Sequence, residues 1–480
     1  MRHGSQGRRR FTRGKFGNTE PRPENKFLTT GPPPHVDSPF RIPLHRHCYP
    51  TVQTPNPPST FEEEWIPSLC YNTTTITAAS QTSEEEQKEK EICTFTRDVP
   101  PPCFDAEHRQ WRKIHSVSVI TTLPAMKRLA RLGGLDTLLK NEHGRDPSGG
   151  GTVGLPPGVY EIKGIEGKGL GTVARQFIRA GTEVMNDAPL IMVDDLAVKA
   201  LKQEPMQKQV EKLMAQAVGE LAEDLRTHFG QLSGRFSVED HDDGWETKIF
   251  GKNAFLVKVK LGGYDDDGEE QKENEGRRAF HAVFRDVSRI NHDCSPNMGY
   301  YFDQKTLTLR VIAARDIHPG EEMTIGYVDL TKPCPVRQKL LNQSWGFPCT
   351  CRRCTLPPYQ KEESNSRAEQ IHALRKELDS YSALGASPEK AELLITLYEL
   401  EGIQARIYEA YYRAAVEWNG VGNAAKAAKH ARLCLDRGLS LRSEDSPFLS
   451  SMRLLVQDPK EHWSWRFRVN LKDARGDKAR

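Results

Sequence analysis

The chain has 480 residues, more than the roughly 250–300 at which one hydrophobic core stops growing, so we expect at least two domains or one domain with long extensions. Its 68 basic and 65 acidic side chains leave a formal net charge of +3, which excludes binding of nucleic acid or a membrane surface through the overall charge. With 37% apolar residues, 31 prolines and 37 glycines, the composition indicates folded domains joined to solvated segments.

Residues 1–60 are basic and proline-rich and show no sustained apolar period, which predicts a disordered tail. Their arginines suit nuclear import or nucleic-acid contact as well as a plain solvated tail, so they indicate no specific nucleic-acid partner. No apolar run of about 18 residues occurs, and the basic start is not followed by an apolar segment. We therefore expect neither a transmembrane helix nor a secretory signal, and we expect the protein in the nucleus, the cytoplasm or both.

Residues 61–150 mix short apolar fragments with a charged run, and they form an accessory region whose fold the sequence does not define. A glycine-rich stretch near residues 146–151 predicts a linker. Short apolar segments separated by glycines then predict a β-rich domain over residues 157–330. Apolar residues at helical spacing predict a helical insert, about residues 195–280, that splits this domain.

Residues 365–460 carry apolar side chains at spacings of three and four, which predicts an all-helical C-terminal domain. Asn423 is suited to cap the start of one helix, and Gly438 is suited to end it. Small residues that face bulky ones favour the antiparallel helix pairs of tetratricopeptide (TPR)-like arrays. A plain helical bundle is the alternative, because no regular repeat of about 34 residues is found.

Four short motifs follow one another in the second and third quarters of the chain. They are Gly167–Gly171 (GKGLG), Arg289–Asn297 (RINHDCSPN), Gly320–Tyr327 (GEEMTIGY) and Phe347–Cys354 (FPCTCRRC). Taken singly, a glycine-rich turn or a tyrosine at a strand end usually serves chain geometry or packing. The three clustered cysteines of the last motif predict a zinc site, which normally takes four ligands. Cys294, in the second motif, is the natural fourth ligand, and Cys334 is its rival.

The ordered set of motifs resembles the SET-domain protein-lysine methyltransferases, in particular the SMYD-like branch, and within it the fungal-type SET proteins that lack the MYND finger. The resemblance covers residues 157–357 well and the C-terminal helices more loosely. It implies an α+β protein: a β-rich SET fold with a helical insert, a post-SET cysteine-rich segment at residues 331–357 with a zinc site, and an all-α, TPR-like C-terminal domain. It also implies an S-adenosylmethionine (SAM)-dependent N-methyltransferase that acts on lysines of histone or non-histone proteins.

The resemblance assigns roles to individual residues. Tyr327 matches the tyrosine beside the methyl-transfer axis, and Phe255 matches a wall of the channel for the substrate lysine. The residues expected to bind the cofactor are Lys168, Gly169, Leu170, Asn253, Asn291, His292 and Phe347. The residues expected to bind zinc are Cys294, Cys349, Cys351 and Cys354. For Asn253 and Phe255, ordinary packing is an equally good interpretation.

The chain also departs from the pattern of the SMYD-like branch. No cysteine lies between Cys103 and Cys294, so the SET region has no MYND finger. Asp187, Asp293 and Gly326 stand where Glu, Ser and Ser are usual, and the small residue at 326 is expected to loosen the lysine channel. The alternative function is a non-catalytic scaffold, in which the SET fold supports a helical array that binds protein partners.

Overall fold

The described part of the chain begins after the predicted tail. In this computed structural model it comprises residues 69–72, 91–98, 103–105, 110–112, 116–131, 158–202, 206–234, 244–261, 277–439, 441 and 446–476. The tail predicted for residues 1–60 and the linker predicted near residues 146–151 lie outside it. By its internal contacts the chain divides into residues 1–48 and 49–480, and every described residue belongs to the second unit.

Strands dominate the first two thirds of the described residues, and helices dominate the rest. The strands are β1 (Leu69–Asn72), β2 (Glu91–Asp98), β3 (Cys103–Asp105), β4 (Gln110–Arg112), β5 (Ser116–Thr122), β6 (Tyr160–Ile165), β7 (Gly169–Ala174), β8 (Glu183–Asp187), β9 (Pro189–Asp194), β10 (Phe255–Lys260), β11 (Arg277–Phe284), β12 (Asn291–His292), β13 (Met298–Asp303), β14 (Thr308–Ala313) and β15 (Glu322–Ile325). The helices are α1 (Leu123–Arg131), α2 (Asp195–Ala200), α3 (Met206–Gly219), α4 (Glu223–Gly230), α5 (Trp245–Asn253), α6 (Cys334–Trp345), α7 (Pro358–Leu378), α8 (Pro388–Leu400), α9 (Tyr408–Gly420), α10 (Ala424–Gly438), α11 (Pro447–Gln457) and α12 (Phe467–Gly476). The described residues also include the 3-10 turns Val287–Arg289 and Gln404–Arg406.

The largest sheet has six strands in the order β1-β2-β5-β9-β11-β10. The pairing of β5 with β9 is parallel, and the other pairings are antiparallel. Strands from before residue 150 therefore share one sheet with strands from residues 189–284. Smaller sheets have the orders β12-β15-β7-β6, β13-β14-β8 and β3-β4.

The helices α2 to α5 follow β9 and cover one face of the large sheet. Ile191 and Val193 of β9 pack against these helices, while Met192 joins the apolar core of the strands. This is why β9 is buried along its whole length and has a continuous apolar sequence rather than an alternating one. The helices end at Asn253, and strand structure resumes at Phe255.

The C-terminal helices pack through small side chains. Ala410 and Ala414 of α9, and Ala427 and Ala431 of α10, are fully buried, so the two helices approach each other closely. Asn423 caps α10, because its side chain accepts a hydrogen bond from the Lys426 amide. The mixed α+β class with a helical C-terminal region is thus confirmed, and the TPR-like interpretation stays a prediction.

Among the described residues, no helix is both long enough and apolar enough to span a bilayer.

Candidate active site and metal site

A pocket of about 340 Å³ lies where the glycine-rich loop, the Asn-His motif, the helical insert and the post-SET segment meet. Most of the residues that the sequence analysis selected line it: Lys168, Leu170, Asn253, Asn291, His292, Tyr327 and Phe347. Gly169, the first residue of β7, lies between Lys168 and Leu170 in the chain. Phe255 is not part of the pocket lining. Four segments that are distant in sequence thus converge on one cavity, which makes this cavity the candidate active site.

The glycine-rich loop needs glycine both for its backbone angles and for the close contact of its backbone with Asn291. Gly167 and Gly169 have φ angles of +70° and +74°, which other residues rarely adopt. A Cβ atom at Gly171 would lie 2.5 Å from Nδ2 of Asn291, so only glycine fits there. That Asn291 amide donates to the carbonyl oxygen of Leu170 at 3.3 Å and to Oε1 of Glu322 at 3.0 Å. Its own carbonyl oxygen remains available to accept a hydrogen bond from a ligand.

His292 connects the Asn-His motif to the candidate catalytic tyrosine and to a cysteine. Burial lowers the pKa of His292 to about 4, so the ring is neutral at pH 7. Its Nδ1 accepts a hydrogen bond from the backbone amide of Tyr327 at 3.0 Å. The ring proton must therefore be on Nε2, which lies 3.3 Å from Sγ of Cys294 and donates to it. The imidazole has a structural role in this geometry, because both ring nitrogens are occupied.

Tyr327 presents its hydroxyl group to the backbone of the same motif. The hydroxyl donates to the carbonyl oxygen of Ile290 at 2.7 Å. Burial, with smaller contributions from Glu322 and Tyr300, raises the pKa of Tyr327 well above its ordinary value. The phenol therefore stays protonated at neutral pH, which suits it to orienting a ligand rather than to taking up a proton.

Aromatic rings surround Tyr327. The Trp345 ring lies 5.1 Å from it at an angle of 40°, and the Phe347 ring lies 6.5 Å away edge-on. Phe255 packs edge-on against Tyr300, at 5.3 Å between ring centres. The sequence analysis missed Trp345 and Tyr300. Trp345 lies only two positions before Phe347, so the aromatic pair in the sequence could have indicated that Trp345 also lies at the pocket.

Asn253 is the last residue of helix α5 and lines the pocket. Its side-chain NH2 group is already hydrogen-bonded within the protein. Its Nδ2 donates to the carbonyl oxygens of Ser233 at 2.6 Å and Ile249 at 2.7 Å. It therefore ties the loop at residues 231–234 to the helix, and only its side-chain oxygen is available to a ligand. The position of Asn253 is compatible with a contact to the cofactor and with ordinary packing, the two interpretations that the sequence leaves open.

Four sulfur atoms form a cluster next to the pocket. The Sγ atoms of Cys294, Cys349, Cys351 and Cys354 all lie within 4.8 Å of one another, and all four residues are buried. Tetrahedral zinc–thiolate bonds of about 2.3 Å place sulfurs about 3.8 Å apart, so this donor set fits a structural zinc ion. Cys334 lies 3.5 Å from Cys354 but is not a member of the four-sulfur cluster.

A fully buried arginine lies against the sulfur cluster. Arg337 of α6 donates from Nε to Sγ of Cys294 at 3.1 Å, from Nη2 to Sγ of Cys354 at 4.0 Å, and from Nη1 to the carbonyl oxygen of Lys332. Four thiolates around one Zn²⁺ carry a net charge of −2, and a guanidinium offsets part of that charge. The sequence analysis did not select Arg337, since it lies outside all four motifs.

A buried ionic network joins the cysteine segment to the C-terminal helices. Glu401, at the end of α8, pairs with Arg353 and, at 2.6 Å, with Arg367. Its carboxylate also accepts a hydrogen bond from Ser364 at 2.6 Å, and its backbone oxygen accepts one from Ser295 at 2.8 Å. The helical domain is therefore bonded directly to both the post-SET segment and the Asn-His motif.

Comparisons with known proteins show what parts of the chain are similar to. A family model of the SET domain matches residues 169–328. The chain is similar to histone-lysine N-methyltransferase set5 of Schizosaccharomyces pombe, at 29% identity over 41% of this chain and 51% of the relative. It is also similar to N-lysine methyltransferase SMYD2 of Gallus gallus, at 38% identity over 18% of this chain and 19% of the relative.

These matches cover part of each relative. Histone-lysine N-methyltransferase SET5 of Meyerozyma guilliermondii is 34% identical over 23% of this chain and 25% of the relative. The chain thus spans about half the length, or less, of the curated relatives it matches. The solved Neurospora SET domain protein DIM-5 matches 35% of this chain and 52% of its own, with a TM-score of 0.21 and 15% identity. The resemblance that the four motifs predict is confirmed: residues 169–328 match the SET-domain family, and the chain is similar to proteins named as histone-lysine and N-lysine methyltransferases.

Proposed function

We propose that the protein is a SAM-dependent protein-lysine N-methyltransferase. The observation that carries this proposal is the convergence, in one pocket, of the glycine-rich loop, the Asn-His motif, Tyr327 and Phe347. Related proteins bear the names of histone-lysine and N-lysine methyltransferases. The substrate is then a lysine-bearing protein segment, histone or non-histone, and the protein acts in the nucleus, the cytoplasm or both.

The pocket residues suit the binding of SAM, which when bound supplies a methyl group on a cationic sulfur. The free carbonyl oxygen of Asn291 can accept from the ammonium group of the amino-acid part. The backbone at Lys168, Gly169 and Leu170 can approach the ligand closely, because the glycine positions remove side-chain bulk. The ring of Phe347 offers a flat surface on which adenine can stack.

Methyl transfer also requires a neutral lysine amine. At pH 7 the neutral form costs roughly 4.6 kcal/mol relative to the charged form, given a reference pKa of about 10.4. Burial among aromatic rings lowers this cost, and so does the positive charge of the sulfonium, because both disfavour the ammonium form. The Tyr327 hydroxyl oxygen and the Ile290 carbonyl oxygen can accept the N–H groups of the amine, which leaves its lone pair free for in-line attack.

Zinc has a structural role in this proposal. Bound by Cys294, Cys349, Cys351 and Cys354, it would connect the post-SET segment to the Asn-His motif and hold Phe347 over the pocket. The helical region at residues 365–460 would border the substrate groove. It lies close to the SET strands, since a Cβ atom at Gly299 of β13 would be 2.5 Å from the Leu441 side chain.

The test is transfer of labelled methyl groups from SAM to histones or cell lysate by the purified full-length protein. We expect labelled lysines, and we expect Tyr327→Phe to lower the rate by about 10- to 100-fold because the amine loses an orienting acceptor. Tyr359→Phe is the matched control, since Tyr359 is 75% exposed and outside the pocket. Failure of the unaltered protein to bind SAM would refute the proposal and favour the scaffold function.

A further inference from the structure

Arg289 is a buried cation in the wall of the pocket. It ends the 3-10 turn Val287–Arg289, two positions before Asn291, and only 6% of its surface is exposed. It lines the pocket together with Asn291. An arginine is charged at every physiological pH, so its burial here requires a compensating partner.

The partners that Arg289 has do not satisfy its guanidinium group. Its Nε lies 3.1 Å from Nε2 of His228, and its Nη2 lies 3.4 Å from the His228 carbonyl oxygen. The same Nε2 of His228 lies 2.8 Å from the carbonyl oxygen of Arg285. Burial, and then the charge of Arg289, lowers the pKa of His228, so the ring is neutral. A ring nitrogen of neutral histidine either donates or accepts, so Nε2 can satisfy only one of its two neighbours.

Arg289 also lacks a carboxylate partner. Within the described residues, no acidic oxygen lies within 4 Å of its guanidinium, and the attraction of Asp286 acts from farther away. Asp286 instead accepts a hydrogen bond from Tyr160 at 3.1 Å. Among the described residues, the Nη1 atom of Arg289 has no hydrogen-bond partner, and it is accessible to solvent, so it is available to a ligand of the pocket.

The other cations of the pocket wall are differently placed. Lys168 is neutralised by Glu322, with 2.6 Å between Nζ and Oε2. Lys252 is half-buried and donates to the carbonyl oxygen of Ser344 at 3.0 Å. Among the described residues that line the pocket, Arg289 is therefore the cation best able to bind an anion.

We propose that Arg289, positioned by His228, binds the carboxylate of the amino-acid part of SAM. This inference rests on the proposed function. One carbon atom separates the carboxylate and the ammonium group of an amino acid, so their partners must be neighbours. Arg289, at the end of the 3-10 turn, and Asn291, two positions later at the start of β12, meet that requirement. A guanidinium binds a carboxylate through two parallel hydrogen bonds, and such bonds are stronger than those between neutral groups.

In this arrangement the helical insert has a function, which is to position Arg289 through His228. His228 lies on α4, within the insert, whereas Arg289 and Asn291 belong to the SET strands and their turns. The insert then holds the arginine that recognises one end of the cofactor. His228 is a positioning residue, because it acts through Arg289 and does not itself line the pocket.

The experiment compares the affinity of the full-length protein for SAM and for decarboxylated SAM, which differ by the carboxylate alone, by isothermal titration calorimetry. We expect the unaltered protein to prefer SAM by about 10- to 100-fold, as for a hydrogen-bonded charged group. In Arg289→Met this preference should fall to about threefold or less, and Arg289→Lys should recover part of it. Arg226→Met is the matched control, because Arg226 is an exposed arginine of the same helix as His228.

Each outcome bears on the proposal. An unaltered protein that binds both compounds equally would overturn it, whether or not the variants fold. An Arg289→Met protein that keeps the preference, or that loses affinity for both compounds to the same degree, would also overturn it. Absence of SAM binding by the unaltered protein would instead refute the proposed function, and this inference with it.

Discussion

Two buried arginines show how differently the post-SET segment and the C-terminal helices are stabilised. Arg468 of α12 pairs with Glu417 of α9, at 2.6 Å from Nη2 to Oε1, and both side chains are almost inaccessible to solvent. Arg337 is equally buried, but its nearest acceptors besides a backbone oxygen are the sulfurs of Cys294 and Cys354. The chain itself neutralises Arg468, whereas Arg337 is neutralised only when the cysteines are thiolates.

If the sulfur cluster binds zinc as proposed, this difference would make the post-SET segment depend on the metal ion and leave the helical domain independent of it. Zinc binding deprotonates cysteines, so it creates the negative charge that the buried guanidinium of Arg337 needs. A bound zinc ion would then stabilise Arg337 and the wall of the pocket together. The helical domain needs no such ligand, because its ion pair and its closely packed alanines form on folding.

The largest expected effect is the loss of the metal itself. Cys294→Ser and Cys351→Ser should each reduce zinc from about one ion per chain to almost none, since a structural site needs all four ligands. Atomic absorption of the purified proteins measures this. Cys434→Ala is the control, because Cys434 is buried in helix α10 away from the cluster. Full zinc content in Cys294→Ser would assign the fourth ligand to Cys334.

The next effect distinguishes Arg337 from Arg468 by the property that each variant changes, zinc affinity or stability. Arg337→Met should weaken zinc binding by about 10- to 100-fold, as expected for a group that contacts metal ligands. Arg468→Met should leave zinc affinity unchanged and lower the free energy of unfolding by about 3–5 kcal/mol, because it leaves Glu417 buried and unpaired. Competition with a chelator measures the first quantity, and urea denaturation of the zinc-loaded protein measures the second. Equal zinc affinity in both variants would contradict the comparison.

The smallest effect concerns a third part of the molecule, the contact between Gly171 of the glycine-rich segment and Asn291 of the pocket wall. Gly171→Ala should lower SAM affinity by about tenfold, because its Cβ atom would collide with Asn291. Gly251→Ala is the matched control. Nothing lies within 4 Å of a Cβ atom there, so alanine should stabilise helix α5 by about 0.5–1 kcal/mol. Calorimetric titration with SAM measures the affinity of both variants, and urea denaturation measures the stability of Gly251→Ala. Normal SAM affinity in Gly171→Ala would argue against a role for this close contact.

Local patterns in the sequence predict much of this architecture. The four motifs predict which segments meet at the pocket, and the cysteine spacing predicts three members of the sulfur cluster. Helical periodicity predicts α3 and the C-terminal helices. The strand at Phe255–Lys260, inside the region assigned to the insert, has its own signal: Val257 and Val259 point inward while Lys258 and Lys260 are exposed.

Contacts between distant segments could not be predicted in this way. The parallel pairing of β5 with β9 joins strands more than 70 residues apart, and no local pattern specifies it. Arg337 contacts Cys294 across 43 positions, and it follows an ordinary helical pattern in its own segment. His228 and Arg289 meet across 61 positions. In each case a polar or charged residue acquires its role only through burial, which depends on the completed fold.

The central claim is tested most directly by identifying the modified atom. Purified protein is incubated with SAM that carries a trideuterated methyl group and with a cell lysate, and the lysate proteins are analysed by mass spectrometry. We expect trideuterated methyl groups on lysine Nζ atoms, and far fewer of them with Tyr327→Phe. Absence of the label from lysine, or label at an equal level with the Tyr327 variant, would contradict the account.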